Sequence, residues 1–212
     1  MNELASLRLD YKLAALDLGD ADEDPLSQFG RWFEEVRAAE IVEPNAMTLS
    51  TASAAGAPSS RTVLLKALDD RGFTFFTNYS SRKGRELEAR PQAALTFFWK
   101  ELERQVNVTG SVEKVSRAES VAYFAVRPYG SQLGAHASNQ SEVISGREWL
   151  EERFAALSQL YPEGQVPLPE SWGGYRLIPD TVEFWQGRSS RLHDRILYRR
   201  SPLGWKRERL SP

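Results

Sequence analysis

Cysteine is absent from the 212 residues, and histidine occurs only twice, as His136 and His193. Without cysteine the chain has no disulfide, no thiolate metal ligand and no cysteine nucleophile. Two histidines without carboxylates at metal-ligand spacing also give no reason to expect a metal site. The absence of cysteine is typical of a reducing compartment, and we expect a cytoplasmic protein.

Long apolar runs and an excess of positive charge are missing as well. Residues 1–18 mix Asp, Lys and Arg with Leu, so we expect no signal peptide, and no stretch suffices to cross a membrane. Lys and Arg number 27 against 29 Asp and Glu, which does not favour nucleic-acid binding. The glycine patterns of dinucleotide-binding folds and P-loops are also absent, which argues against NAD, FAD on a Rossmann fold, or ATP.

The chain length and a hydrophobic fraction of 41 % indicate a single domain with a real core. We place this domain at 24–212, behind an N-terminal arm at 1–23 that ends in an acidic link. Asp24 followed by Pro25 predicts the start of a helix, and Phe29 and Trp32 belong to its apolar face.

From residue 46 onward the hydrophobic period changes from helical to alternating. Strands are predicted at 47–52, 61–68, 73–78, 92–99, 104–114, 181–186, 195–199 and 205–210, with a further β region opening at Trp172. Helices are predicted at 82–89, 117–126 and 147–160, and a long polar loop at 129–145. This meander favours a mainly β fold with flanking helices, closed or nearly closed into an antiparallel barrel.

Cations gather at the start of the helix predicted at 82–89. Arg82 and Lys83 follow two serines there, and Arg61 and Lys66 flank the apolar centre of a strand. Free N–H groups at a helix start, serine hydroxyls and nearby cations suit a phosphate group. A solvated helix start with surface charge explains the same residues, so the pattern alone leaves both interpretations open.

A second set of hydrogen-bond donors lies on and after the helix predicted at 117–126. Tyr123 and Arg127 are four residues apart and face one side of a helix, and Ser131 follows a break at Pro128. They suit a second phosphate, although a surface tyrosine beside an arginine has the same spacing. Two phosphate sites on a barrel without a glycine loop suggest flavin mononucleotide (FMN) and a phosphorylated substrate.

The C-terminal part carries the most specific motif. Arg191 and His193 are two residues apart, so on an extended segment both side chains face one ligand. Together with earlier motifs, this segment resembles the pyridoxine (pyridoxamine) 5′-phosphate oxidase family along nearly the whole chain. The matching motifs are RTVLLK from Arg61, FTN from Phe76, SRK from Ser81, ERQV from Glu103, RP at Arg127, SQLGA from Ser131, QS at Gln140, VPLP from Val166, WGG from Trp172, EFWQG from Glu183 and RLHDR from Arg191.

The resemblance implies a split β-barrel FMN-binding fold and a homodimer with the flavin at the subunit interface. It also implies a reaction in which O2 oxidises pyridoxamine 5′-phosphate and pyridoxine 5′-phosphate to pyridoxal 5′-phosphate. H2O2 is released, together with ammonia from the amine. The FMN contacts that it implies are Arg61, Thr62, Val63, Leu64, Leu65, Lys66, Phe76, Thr77, Arg82, Lys83, Gln105, Gln140, Ser141, Trp185 and Arg195.

The same resemblance assigns the substrate side of the site, with Arg191 and His193 as the catalytic residues. The implied substrate contacts are Arg8, Tyr11, Lys66, Tyr123, Arg127, Ser131, Arg191, Leu192 and His193. Two positions depart from the family pattern. Phe76 stands where the family often has Tyr, and His136 stands where an aromatic such as Trp is common. We expect His136 to be structural.

Two other functions are compatible with these motifs. One is a related split-barrel flavoenzyme that oxidises a different ring, such as a phenazine precursor. The other is a non-catalytic flavin- or pyridoxal-phosphate-binding protein. The complete phosphate set disfavours the first, and the presence of both Arg191 and His193 disfavours the second.

Overall fold

The computed structural model describes residues 6–7 and 9–212. The described residues form nine strands: β1 (Ala46–Ala52), β2 (Pro58–Leu64), β3 (Ala67–Asp69), β4 (Gly72–Asn78), β5 (Gln92–Trp99), β6 (Arg104–Lys114), β7 (Trp172–Gln186), β8 (Asp194–Ser201) and β9 (Gly204–Arg209). They also form five α-helices: α1 (Pro25–Ala38), α2 (Arg82–Ala89), α3 (Arg117–Ala125), α4 (Tyr129–Ala137) and α5 (Arg147–Leu160). None of the helices in this part of the chain is long and apolar enough to span a membrane.

The strands form one curled antiparallel sheet in the order β2-β1-β5-β6-β7-β4-β3, with β8 and β9 branching from β7. The first part of β7, Trp172 to Leu177, pairs with β4, and its last part, Thr181 to Gln186, pairs with β8. The sheet therefore divides at β7, which pairs with β6 along its other edge.

A bulge interrupts the pairing of β6 with β7. Thr109 is opposite Thr181, but the next residue, Gly110, is opposite Pro179, so the exposed Asp180 has no partner in β6. Such a bulge bends a strand and increases its local twist, which helps a long strand to follow a barrel. The fifteen residues of β7 can therefore serve both parts of the divided sheet.

Helix α1 packs against the core of the curled sheet. The Asp24 carboxylate accepts a hydrogen bond from the Ser27 N–H, and Pro25 occupies the first turn, as the sequence predicts. Phe29, which is fully buried, contacts Phe73 and Phe97 edge-on, with ring centroids 5.0 and 4.8 Å apart. Aromatic packing of this kind anchors α1 to the core of the sheet.

Two predicted elements are wrong. The predicted loop at 129–145 contains α4, because Pro128 begins a helix whose Leu133 and Ala137 are buried. The Gln132 amide also donates to the carbonyl oxygen of Phe124, which ties α4 to the end of α3. The predicted strand at 61–68 is two strands, since the chain leaves β1 after Leu64 and joins β4 at Ala67.

The N-terminal segment packs against β8 and β9. Leu16 is buried in the core, and its N–H donates to the Asp194 carboxylate. Arg209 of β9 binds Asp17, and Arg207 donates to the carbonyl oxygen of Ala21. The predicted boundary between an arm at 1–23 and a domain at 24–212 stays a prediction.

Candidate active site

A cavity with a volume of about 1090 Å³ opens beside β2, β4 and α2. Fourteen predicted site residues line it: Arg61, Thr62, Val63, Leu64, Lys66, Phe76, Thr77, Arg82, Lys83, Tyr123, Arg127, Ser131, Gln140 and Ser141. The two predicted groups of phosphate-binding residues therefore line the same cavity. We call this cavity the first half-site.

Lys83 lies at the buried floor of the first half-site. Its side chain comes from α2, which Ser81 caps by accepting a hydrogen bond from the Gly84 N–H. The Lys83 ammonium donates to Thr77 Oγ1 at 3.1 Å and to Gln140 Oε1 at 2.9 Å. Burial, and to a lesser extent the charge of Arg61, lower the pKa of Lys83 to about 8. An anion bound here would favour the charged form and raise this pKa.

Helix α2 approaches β4 closely because Gly84 has no side chain. A Cβ atom at Gly84 would lie 2.0 Å from the Tyr79 carbonyl oxygen, so any other residue would push α2 away. The first turn of α2, which carries Arg82 and Lys83, is therefore held against the strand that carries Phe76 and Thr77.

Arg127 lies on an aromatic surface at the other side of the first half-site. Phe76 stacks on Tyr123 with ring centroids 4.1 Å apart, and the Trp172 ring is parallel to both. The Arg127 guanidinium lies over Trp172. Its Nη1 atom is buried and has no hydrogen-bond partner among the described residues. Burial lowers the pKa of Arg127, and an unpartnered buried donor is costly unless a ligand accepts from it.

A second group of predicted residues lies at the far end of β7. Gln105, Trp185 and Arg195 face one another across β6, β7 and β8, so their side chains share one side of the sheet. The His193 ring lies 4.6 Å from that of Trp185, centroid to centroid. Arg195 is engaged by Glu183 through two hydrogen bonds of 2.7 and 3.0 Å, which raise the pKa of Arg195.

Arg191 and His193 line a smaller cavity of about 490 Å³, together with Tyr11. The Arg188 N–H donates to His193 Nδ1 at 3.1 Å, so the neutral ring carries its proton on Nε2. Burial and the charge of Arg191 lower the pKa of His193, while Asp194 opposes them. We call this cavity, with Gln105, Trp185 and Arg195, the second half-site.

The backbone at Arg191 is strained. Ser190 and Arg191 have φ angles of 58° and 61°, in the left-handed region that residues other than glycine rarely adopt. The Ser189 hydroxyl donates to the Tyr11 carbonyl oxygen, which ties this turn to the N-terminal segment. Strain of this kind persists where the surroundings fix a side chain for function.

Comparison with known proteins identifies the family of the chain. A sequence model of the family described as pyridoxamine 5′-phosphate oxidase matches residues 33–161. The chain belongs to that family. A second model, described as the pyridoxine 5′-phosphate oxidase C-terminal dimerisation region, matches residues 172–212. The predicted family is therefore confirmed, and with it the class of enzyme, an oxidase.

Curated relatives cover the whole chain. It is 58 % identical to pyridoxine/pyridoxamine 5′-phosphate oxidase of Burkholderia multivorans, over 100 % of both chains. It is 57 % identical to the protein of that name from Rubrobacter xylanophilus, over 99 % of this chain and 97 % of the relative.

Solved structures confirm the predicted split-barrel fold. PhzG from Burkholderia lata, solved in complex with tetrahydrophenazine-1-carboxylic acid, has a TM-score of 0.90 and 32 % identity, covering 96 % of this chain and 100 % of PhzG. An FMN-binding protein from Nostoc punctiforme related to pyridoxamine 5′-phosphate oxidase has a TM-score of 0.71, covering 88 % of this chain and 96 % of its own. At 18 % identity it supports the fold alone.

Three predicted residues of this oxidase family member lie outside both half-sites or outside the described residues. Leu65 is buried in the core, and both its backbone N–H and its carbonyl are bonded to Asn45. Leu192 is 70 % exposed. Arg8 is not among the described residues. The roles predicted for these residues stay predictions.

Trp172 and Glu86 are among the residues at or near the first half-site that sequence reasoning missed. Trp172 lines the first half-site, although its WGG motif was recognised only as a family marker. Glu86 lies behind that cavity and binds Arg61 and Arg82. The spacing of Arg82 and Glu86, four residues apart on a helix, signals an ion pair, but not that the pair is buried.

Proposed function

We propose that this chain is an FMN-dependent oxidase that converts pyridoxamine 5′-phosphate and pyridoxine 5′-phosphate to pyridoxal 5′-phosphate. O2 is consumed and H2O2 is released, with ammonia from the amine. One observation carries the proposal: a single cavity is lined by two separate sets of cations, one around the buried Lys83 and one around the half-buried Arg127. Two phosphate groups, one on the cofactor and one on the substrate, account for both sets.

The first set fits the phosphate of FMN. Arg61, Arg82 and Lys83 supply three positive charges, and Glu86 supplies one negative charge. The remaining charge suits a phosphate monoester, which carries between one and two negative charges near neutral pH. Thr77 and Gln140 already accept from Lys83, so they keep its ammonium at the floor of the cavity.

The second set fits the phosphate of the substrate. Arg127 offers a planar guanidinium with an unpartnered buried Nη1, and such a group can hold two phosphate oxygens. Lys66, Tyr123 and Ser131 line the same cavity and add an ammonium and two hydroxyl donors. Holding the phosphate here fixes where the reacting carbon of the ring lies.

We infer that the second half-site completes a first half-site on another copy of the chain. Phe76 of the first half-site pairs with Gly174, whereas Trp185 is eleven residues further along the same strand. At about 3.3 Å per residue, this is roughly 35 Å of strand. The two cavities share no lining residue. A homodimer that joins the first half-site of one subunit to the second half-site of its partner brings them together, and the match to a dimerisation region supports it.

The residues of the second half-site then act on the substrate ring. Arg191 is a cation that can hold a ring oxygen, and its strained backbone fixes its direction. His193 lines the same cavity, and because its Nδ1 accepts from the Arg188 N–H, its Nε2–H is the donor that it can offer to a polar atom of the substrate. When bound, FMN supplies the redox chemistry, taking up the hydrogen equivalent and passing electrons to O2.

A different substrate ring is the second candidate, because PhzG combines a very similar fold with a tricyclic ligand. A tricyclic carboxylic acid has no phosphate and leaves one of the two cation sets unused. Oxygen consumption with added FMN decides between them. We expect turnover and peroxide with both B6 phosphates and little with unphosphorylated pyridoxamine or tetrahydrophenazine-1-carboxylic acid. Faster turnover of the tricycle, or no peroxide at all, would overturn the proposal.

A further inference from the structure

A buried carboxylate lies directly behind the first set of cations. Glu86 is 6 % exposed, on the inner face of α2. Its Oε1 accepts from Arg82 Nε at 2.9 Å. Its Oε2 accepts from the Thr51 and Ser59 hydroxyls and lies 3.4 Å from Arg61 Nη2. Four donors from β1, β2 and α2 therefore converge on one side chain.

This arrangement holds Glu86 in its charged form. Burial alone would raise the pKa of Glu86, but the hydrogen bonds from Ser59, Thr51 and Arg82 outweigh it and lower the pKa to about 2. A buried carboxylate that accepts from this many donors has a fixed position and orientation. The guanidinium groups that bind it have little freedom to turn elsewhere.

Arg61 and Arg82 come from separate elements, yet both line the first half-site. Arg61 is fixed further by Thr51 Oγ1 at 2.6 Å and by the Leu49 carbonyl oxygen at 3.2 Å. Arg82 has a side chain that is 58 % exposed, and Glu86 is the residue to which its Nε is bonded. Without Glu86, Arg82 would move freely in solvent and Arg61 would lose its charged partner.

We propose that Glu86 is a positioning residue of the cofactor phosphate site, where it aligns the guanidinium groups of Arg61 and Arg82 toward the bound phosphate. The inference rests on the proposed function, in which that phosphate belongs to FMN. Glu86 does not line the cavity itself, so it acts through the two arginines.

Two possible roles of Glu86, alignment of the arginines or an effect of its charge alone, predict opposite changes in the affinity for FMN. A negative charge near a phosphate repels it, so removing the charge of Glu86 would strengthen FMN binding if charge alone mattered. If Glu86 aligns the arginines, removing its charge weakens FMN binding despite the more positive site. The sign of the change in affinity therefore distinguishes the two.

The experiment titrates flavin-free protein with FMN and follows quenching of flavin fluorescence. We expect Glu86→Gln to raise the Kd for FMN about tenfold, the scale of one lost charge-assisted hydrogen bond. Glu86→Asp keeps the charge but shortens the side chain, so the carboxylate no longer meets both arginines, and we expect it to weaken FMN binding as well. Glu88→Gln is the matched control, since Glu88 is exposed on the same helix and pairs with Lys114. An unchanged or lower Kd in Glu86→Gln would overturn the proposal.

A double variant tests the route of the effect and guards against misfolding. If Glu86 acts through Arg61, then Glu86→Gln should weaken FMN binding less in an Arg61→Ala background than in the natural chain. Full additivity of the two losses, or a loss that merely follows a fall in thermal unfolding midpoint, would contradict positioning. If the natural chain binds riboflavin as tightly as FMN, the phosphate site itself is wrong, which is a separate failure of the proposed function.

Discussion

The guanidinium carbon of Arg127 lies 4.6 Å from the ring centroid of Trp172. The face of the Trp172 ring attracts the guanidinium but accepts no hydrogen bond from its N–H groups, which lie in the plane of the guanidinium. Nη1 therefore remains available for a ligand. We expect Arg127→Ala to raise the KM for pyridoxamine 5′-phosphate by roughly tenfold to a hundredfold, because charge-assisted hydrogen bonds are lost. Arg127→Lys should recover only part of this, since lysine is not planar. Steady-state kinetics measure both, and an unchanged KM would remove Arg127 from the substrate site.

Arg191 should affect turnover rather than flavin content. It lines the second half-site, away from the cations assigned to the FMN phosphate. We expect Arg191→Ala to lower kcat by about a hundredfold or more, the usual scale for a group that stabilises charge in the transition state. The flavin content of the purified protein, measured by absorbance after denaturation, should stay near that of the natural chain. Equal losses of flavin and turnover would contradict a catalytic role.

Lys83 should make FMN binding depend on pH. Its pKa of about 8 in the free protein means that the ammonium is lost as pH rises through 8, with Arg61 and Glu86 as its charged neighbours. A bound phosphate favours the charged form, so binding above pH 8 requires proton uptake. We expect the Kd for FMN to rise up to about tenfold per pH unit above pH 8. Lys83→Arg, which does not titrate in this range, should give a flat profile from pH 7 to pH 9.5. The same slope in both proteins would exclude Lys83 as its source.

His193 should titrate below the usual histidine range, because burial and Arg191 both disfavour its charged form. Since the chain has only two histidines, His136→Gln leaves a single imidazole signal in the NMR spectrum. We expect its midpoint below 6.5, and a higher midpoint when Arg191→Ala is added. The linked stability is complete above pH 6.5 and is lost as pH falls through the lowered pKa. A midpoint at or above 6.5 would contradict the environment described for His193.

Mixed dimers test how the half-sites combine. Arg127→Ala damages the first half-site and Arg191→Ala the second. When both chains are produced together, each mixed dimer of the proposed arrangement has one site built from two intact halves. The assay uses substrate well below the natural KM, where the raised KM of Arg127→Ala and the low kcat of Arg191→Ala leave each variant alone nearly inactive. Random pairing should then give about a quarter of the natural activity. No recovery on mixing would mean that both halves come from one chain.

Local signals in the sequence account for most of the fold. Alternating apolar residues and short turns predict β5 and β6 with their observed bounds, and serine caps with helical spacing predict α2. Helix α4 was missed because its residues 129–137 are mostly small or polar. Its stability comes from contacts with α3 and from burial of Leu133, which depend on the tertiary fold.

The sequence predicts which residues belong to the candidate site better than it predicts how these residues are arranged. The cations and the RLHDR motif are visible in the sequence, but the division into two half-sites depends on the register and length of β7. Burial of Glu86 against Thr51 and Ser59 is a contact between distant parts of the chain. Residue spacing carries no information about such contacts.

The unpaired Asp180 changes the phase of the alternation between buried and outward-facing residues along β7. Before the bulge, the odd-numbered Tyr175 and Leu177 are buried in the core, and after it the even-numbered Val182 and Phe184 are. Uninterrupted alternation would have continued the odd phase and directed Trp185 into the barrel. A chain shortened by this one exposed residue would keep Trp185 opposite Gln105, but it would lose the bulge and with it the bend between Pro179 and Thr181. Length at this point of β7 therefore sets the course of the strand between the two half-sites, a property that the identity of the site residues does not show.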